Sequence, residues 1–240
     1  METRYTRTEA LIGDEALAKL KHSRVAVFGI GGVGGYAVEA LARAGVGALD
    51  LIDSDRVSVS NINRQIIALD STVGMYKTEA ARDRIRDINP EITVNCHNIF
   101  YDGASAGEIN LSDYDYVIDA IDSVGAKLFL IESCVKAGIK IISSMGTGAK
   151  LDPTALKVSD ISKTSVCPLA RAVRVGLRKR GIGHLRVVYS TELPRESIGD
   201  CGEKTDGCRA PASCSFVPSV AGLILAGEVV RDIAGLDINK

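Results

Sequence analysis

No CxxC pair occurs among the six cysteines of this 240-residue chain, Cys96, Cys134, Cys167, Cys201, Cys208 and Cys214. That excludes the paired spacing of a structural zinc site. Cys201, Cys208 and Cys214 fall near one another, but free thiols are the simpler reading of them than a metal cluster. The opening METRYTRTEA lacks the apolar core of a signal peptide, so a reduced, cytoplasmic setting is expected. No sign of charge dominates: the net charge is −1, which excludes a globally basic protein that coats nucleic acid, and DNA is not an expected partner. A membrane-spanning run is also missing. The closing apolar segment, residues 220–233, is interrupted by Glu228, Arg231 and Asp232 and falls short of about 20 residues. It reads as a core or dimer helix, with membrane contact left open. With 46% hydrophobic and 25% charged residues, the composition is that of an ordinary globular chain long enough to bury a substantial core.

What is present is organised around VAVFGIGGVGG, residues 25–35. Four apolar residues read as a buried strand, and a glycine run leads into an apolar-periodic helix through Val38, Leu41 and Ala42. The unpaired N–H groups and positive helix end at such a turn suit a phosphate. Asp53 closes the next strand, Leu49–Ile52, where a carboxylate can accept ribose hydroxyls. These features predict nucleotide binding and leave the nucleotide open.

Before the turn, residues 9–20 read as two short helical pieces with Leu11, Leu17 and Leu20 facing a core, preceded by Arg4 and Arg7 on an arm. After Asp53, the loop DSDRVSVSNINRQIIAL offers Asn61, Asn63, Arg64 and Gln65 as donors to a polyphosphate or its ribose. Lys77 opens a helix to Ile88 whose buried face is Ala81, Ile85 and Ile88. Residues 92–99 alternate as a half-buried strand, with His97 expected to face solvent. YVIDAI, residues 116–121, is a further strand; Asp119 and Asp122 at its end are candidates for Mg²⁺, and Asp122 is also a candidate helix cap. A strand and a small-residue turn follow over KIISSMGTG, residues 140–148. The helix expected over Pro168–Arg180 holds five cations, Arg171, Arg174, Arg178, Lys179 and Arg180, and no acid within ten residues, with Arg171, Arg174 and Arg178 on one face. RNA backbone suits that excess, and no interleaved aromatic indicates base stacking. LRVVYS, residues 185–190, reads as a strand, and residues 191–214 as a surface loop or a flap over the site.

Taken together, GIGGVGG (29–35), Asp53, SNINRQ (60–65), Lys77 and DAIDS (119–123) resemble the ubiquitin-activating-enzyme-like superfamily, with its ThiF and MoeB adenylyltransferases. The resemblance implies an α/β, Rossmann-like, mostly parallel, doubly wound sheet with ATP at the carboxyl ends of the strands. It implies one adenylating domain over 1–240, with 1–160 as the ATP-binding core and 161–240 as the substrate region and C-terminal helix. Gly29, Gly31, Gly32 and Gly34 then form the phosphate turn, and Asp53, Asn61, Asn63, Gln65 and Ser123 complete the nucleotide site. Arg64 and Lys77 act on the phosphates, Asp122 handles Mg²⁺, and Arg7 is donated across a homodimer.

The second half departs from the sulfur-carrier activators, which carry two CxxC pairs. DPTALKVSDISKT (152–164), CPLARAVRVGLRKRGI (167–182) and VVYSTELP (187–194) instead resemble the transfer-RNA threonylcarbamoyladenosine dehydratase branch. That branch implies activation of the threonylcarbamoyl carboxylate as an acyl-adenylate and ring closure with loss of AMP, with transfer RNA bound by Arg171, Arg174, Arg178 and Lys179. The alternative is an adenylyltransferase acting on a ubiquitin-like sulfur carrier. Cys214 is the first candidate for a nucleophile, with Cys208 and Cys167 behind it, and a cysteine-desulfurase partner for sulfur relay is left open.

Overall fold

The structure, a computed structural model, describes residues 2–196, 198–199, 204–205, 208–209 and 211–237. Two short helices, α1 (Thr6–Ile12) and α2 (Asp14–His22), lead into strand β1 (Arg24–Phe28). Then come α3 (Gly34–Ala44), β2 (Ala48–Ile52), α4 (Lys77–Ile88), β3 (Thr93–His97), β4 (Tyr116–Asp119), α5 (Val124–Ala137) and β5 (Ile141–Ser144). The chain continues through β6 (Leu156–Asp160), α6 (Pro168–Arg178), β7 (Arg186–Ser190), a small β8–β9 ladder (Lys204–Thr205, Cys208–Arg209) and α7 (Phe216–Ala234).

Seven strands form one sheet in the order β3-β2-β1-β4-β5-β7-β6, parallel throughout except for β6, which runs antiparallel along β7. The apolar runs of the central strands explain this: strands covered on both faces need no alternation. Val25 and Val27 point into a core built with Leu41 of α3, Ile85 of α4 and Leu225 of α7. Ala26 and Phe28 point the other way, toward Tyr101, Tyr114 and Leu130 of α5. Helices on both faces make the fold an α/β, doubly wound sheet. The chain moves from β1 outward to β2 and β3, then returns to β4 on the far side of β1, so the sheet reverses direction between β1 and β4. Ligands in such sheets bind outside the carboxyl ends of the strands at that reversal.

Helix α4 begins at Lys77 and ends at Ile88, and α5 ends at Ala137 with Gly138 at φ +70°. The other helix whose span was read from the sequence, α6, stops at Arg178, with Gly181 in the left-handed region. Helix α7 is a core helix, with Val217, Ala221, Leu225 and Val229 buried. Among the described residues no helix is long and apolar enough to cross a membrane.

Several expectations are corrected. Leu11 is 85% exposed, because α1 is only two turns long and turns that side chain away, whereas Leu17 and Leu20 are buried. His97 does not face solvent freely: its Nε2 lies 3.0 Å from Asp50 Oδ1. Asp50 is fully buried and also receives a two-pronged contact from Arg24, at 2.7 and 2.9 Å. Burial opposes ionisation there, but the Arg24, His97 and Asn95 hydrogen bonds outweigh it and hold the Asp50 carboxyl below its ordinary range. Strand β6 has no buried run in the sequence to announce it, being an edge strand with Lys157 and Val158 exposed. Cys201 and Cys208 of the Cys201, Cys208 and Cys214 group, and half of the 191–214 flap, lie outside the residues whose side chains are described.

Candidate active site

The glycine turn is shaped by close approach. Gly29 sits at φ +88°, and a Cβ there would stand 2.7 Å from the Ala120 carbonyl oxygen. A Cβ on Gly34, the first residue of α3, would stand 1.8 Å from the Gly29 carbonyl oxygen. These two glycines therefore let β1, β4 and α3 meet. Gly31 differs: a Cβ there meets nothing nearer than Gln65 Nε2 at 3.8 Å, and its open side faces a cavity. Backbone bonds fix the turn, from Gly29 N–H to the Ile52 carbonyl and from Ala120 N–H to the Phe28 carbonyl, each 2.8 Å.

The cavity has a volume of about 1000 Å³ and opens at the carboxyl ends of β1, β2 and β4. Of the predicted nucleotide residues, Gly29, Gly31, Gly32, Asp53, Asn61, Asn63 and Gln65 line it, joined by Arg64, Lys77 and Asp122. Gly34 stands behind the turn, and Ser123 is outside the lining as the N-cap residue of α5, with no side-chain cap bond. Asp122 makes no such cap bond either, which leaves it at the cavity wall.

Asp53 is held in place by two backbone donors, Ile30 N–H at 2.6 Å and Asp55 N–H at 2.8 Å. Burial pushes its carboxyl above the ordinary range, against the pull of Lys77. Lys77 is only 7% exposed, since the start of α4 turns its side chain into the crevice, where Nζ lies 2.6 Å from Asp55 Oδ2 and 4.0 Å from Asp53 Oδ1. Arg64 donates from Nη1 to the Ser60 carbonyl at 2.9 Å and to Asn63 Oδ1 at 3.0 Å. Gln65 Oε1 is a buried side-chain oxygen without a hydrogen-bond partner among the described residues. A nucleotide's hydroxyl or amino donor would satisfy it, and the open turn beside it leaves room for phosphate.

Asp119 is a correction. It is fully buried and accepts from Lys127 Nζ at 2.8 Å and Ser143 Oγ at 2.5 Å, while its other oxygen takes Ile121 N–H at 3.1 Å. With both oxygens engaged and its side chain outside the cavity lining, it supports the loop that carries Asp122 and does not reach the cavity as a metal ligand. Among the described residues no group of three or more His, Cys, Asp or Glu is placed to hold a metal ion.

The remaining predicted residues lie elsewhere. Arg7 is exposed on α1, outside the cavity lining of its own chain. Arg171, Arg178 and Lys179 are exposed on α6, whereas Arg174 turns back to donate to the Thr164 carbonyl at 3.0 Å. The amino end of that helix, Cys167 to Leu169, does reach the cavity. Cys214 does not: it is half-buried against the core, with Sγ 3.5 Å from the Lys150 carbonyl. Sequence reasoning missed Arg56, Phe100, Lys150 and Pro218, all of which line the cavity. Only the last three-dimensional neighbours of the turn reveal them, because each arrives from a separate part of the chain.

The ThiF family model matches residues 5–240. The chain is 45% identical over 238 residues to a tRNA threonylcarbamoyladenosine dehydratase of Bacillus subtilis, covering 95% of this chain and 94% of that protein. It is 43% identical over 197 residues to the protein of the same name from Escherichia coli, covering 79% of this chain and 74% of that one. The crystal structure of E. coli tRNA N6-threonylcarbamoyladenosine dehydratase, TcdA, in complex with ATP is similar with a TM-score of 0.87 at 35% identity, over 97% of this chain and 94% of that chain.

Proposed function

The chain belongs to the ThiF family, and from that premise we infer that it is an ATP-dependent tRNA threonylcarbamoyladenosine dehydratase acting as one adenylating unit across residues 1–240. The observation that carries the reading is the shared cavity: the glycine turn, Arg64, Lys77, Asp122 and the amino end of the basic helix α6 all face it.

The substrate's free carboxylate has no adequate leaving group. One of its oxygens attacks the α-phosphorus of ATP, a new O–P bond forms, and the bond to pyrophosphate breaks. Negative charge grows on the equatorial oxygens and the departing pyrophosphate. Arg64 and Lys77 are the cations of this chain suited to oppose it, with preorganised charge worth most where water is excluded. An atom of the neighbouring carbamoyl group then attacks the acyl carbon of the adenylate: the ring bond forms, the acyl–oxygen bond to AMP breaks, and the carbamoyl N–H proton passes to water. Nucleophile and electrophile share one side chain, so proximity supplies much of the rate.

Several finer assignments belong to the same proposal. Asp53 accepts the ribose hydroxyls. Asp122, the carboxylate at the cavity wall, would hold Mg²⁺, which would supply positive charge against the phosphates. Arg7, turned away from its own cavity, is donated to the site of a second copy in a homodimer. The exposed Arg171, Arg178 and Lys179 carry the transfer-RNA backbone past the cavity mouth, with Arg174 shaping the loop beneath.

The test is incubation with ATP and transfer RNA bearing threonylcarbamoyladenosine, followed by digestion to nucleosides and mass analysis. We expect loss of 18 mass units, one water, from that nucleoside. Arg64→Ala and Asp122→Ala should each slow the reaction by about 10²–10³-fold. An unchanged nucleoside alongside adenylylation of a ubiquitin-like carrier protein would replace this function with carrier activation.

A further inference from the structure

Three lysines are buried among the described residues: Lys77, Lys127 and Lys150. The first two are paired with carboxylates, Lys77 with Asp55 at 2.6 Å and Lys127 with Asp119 at 2.8 Å. Lys150 is 3% exposed, yet its ammonium donates only to the Gly146 carbonyl, at 3.1 Å, and no carboxylate of the described residues lies within 4.0 Å of it. An ammonium carries three donors, and burying its charge without a counter-ion is costly. Lys150 lines the same cavity as the glycine turn.

The backbone that aims this side chain is itself held against its preference. Ala149 has φ +57°, in the left-handed region that a residue with a Cβ seldom adopts. Hydrogen bonds on both sides hold it there: Ala149 N–H donates to the Ala212 carbonyl at 2.7 Å, and Arg195 N–H donates to the Ala149 carbonyl at 2.8 Å. Two distant segments thus clamp the turn after β5, and the clamped residue directly precedes Lys150. Strain of this kind persists where the surrounding structure over-determines it, as at ligand sites.

We propose that Lys150 is the receptor for the reacting carboxylate of the substrate, holding one of its oxygens while the other meets the α-phosphate; this rests on the dehydratase reading above. The free donors and the missing counter-charge then have one explanation, because the substrate brings the anion. The interaction also ends with the chemistry. Forming the acyl-adenylate removes the carboxylate's charge, ring closure never restores it, and the neutral product loses its hold on the ammonium.

The experiment uses the whole chain with α,β-methylene-ATP, which cannot release pyrophosphate and so leaves the substrate unreacted, and two competing RNA oligonucleotides, one bearing the threonylcarbamoyl group with its carboxylate, the other with that carboxylate converted to a carboxamide. Wild type should bind the carboxylate form about 10–100-fold more tightly, the range of a charge-assisted hydrogen bond. In Lys150→Met the preference should shrink to within about 2-fold with ATP affinity unchanged, and Lys150→Arg should retain it. If Lys150→Met no longer shows ATP-induced thermal stabilisation, Lys150→Gln, similar in length and neutral, takes its place under the same criterion. Full carboxylate preference in the neutral variant overturns the proposal while leaving the dehydratase reading intact. Failure of the wild type to dehydrate the modified nucleoside removes that reading, and the proposal with it.

Discussion

Gly31 and Gly34 stand three residues apart in one glycine run, but the structure assigns them opposite sensitivities to a single methyl group. A Cβ on Gly34 would lie 1.8 Å from the Gly29 carbonyl oxygen, and neither partner is a flexible side chain that can swing away. The turn or the start of α3 must shift by more than 1 Å, and overpacking of this kind costs about 1–3 kcal/mol or more. For a chain of this size, about 3 kcal/mol lowers the melting temperature by roughly 6–12 °C. Gly31→Ala places its methyl 3.8 Å from Gln65 Nε2, an ordinary contact, at a residue whose φ is not in the left-handed region. Its stability should stay within about 0.5 kcal/mol of wild type, or rise by a few tenths through the stiffer unfolded chain. Its methyl nevertheless stands in the cavity where a phosphate would approach the backbone. Calorimetric titration with ATP should therefore show Gly31→Ala losing about 10-fold or more in affinity, the value of one charge-assisted contact, while thermal unfolding is unchanged. Unaltered ATP affinity in Gly31→Ala would refute phosphate binding at this turn, and unaltered melting in Gly34→Ala would refute the steric argument.

Asp53 supplies a pH test. Its carboxyl is raised by burial, so as pH rises from the ordinary carboxylate range toward the raised value the unfolded chain ionises before the folded one and stability falls, while ribose hydroxyls need the ionised form. ATP affinity should fall as pH is lowered through that value, and Asp53→Asn should flatten the fall; the wild-type minus variant difference cancels the nucleotide's own titration. A difference that does not vary with pH would oppose the ribose role. Lys127→Met strands Asp119 as a buried, unpaired charge and should cost about 3–5 kcal/mol, with Asp119→Asn in the same chain recovering part of it in denaturant melts. Additive losses would show that the pair is not coupled. For the homodimer, Arg7→Ala and Arg64→Ala should each be slowed by about 10²-fold or more alone, yet a mixture refolded together should regain activity through mixed dimers with one intact site. No recovery in the nucleoside assay would argue against donation of Arg7 across subunits.

The central fold was legible because its signals are local. Apolar runs at β1, β2 and β4, the glycine turn, and the 3.6-residue pattern from Lys77 to Ile88 each lie within one short window. Strand β6 was not legible, since an edge strand with exposed Lys157 and Val158 lacks a buried run. Asp119 and Asp122 look alike in the sequence; only the fold shows that Lys127, in the first turn of α5, reaches back to claim the first and leaves the second at the cavity wall. The same holds for His97, whose partner Asp50 belongs to a neighbouring strand. Lys150 is the extreme case. Its significance lies in what does not pair with it, and that depends on every segment that closes around it.

Helix α7 crosses the glycine turn so closely that a Cβ on Gly222 would lie 2.2 Å from the Val33 carbonyl oxygen, and its Pro218 forms part of the cavity wall. Val33 is translated about 190 residues before Gly222. At about 5–20 residues per second, the nascent turn waits roughly 10–40 s for the helix that walls it. During that interval the strand–turn–helix unit stands without its roof, and the apolar flank of α3 that α7 later covers is open to chaperones. Nucleotide capture is thereby tied to the late end of synthesis: a ribosome-bound chain halted before α7 emerges should carry the glycine turn and still lack a finished pocket.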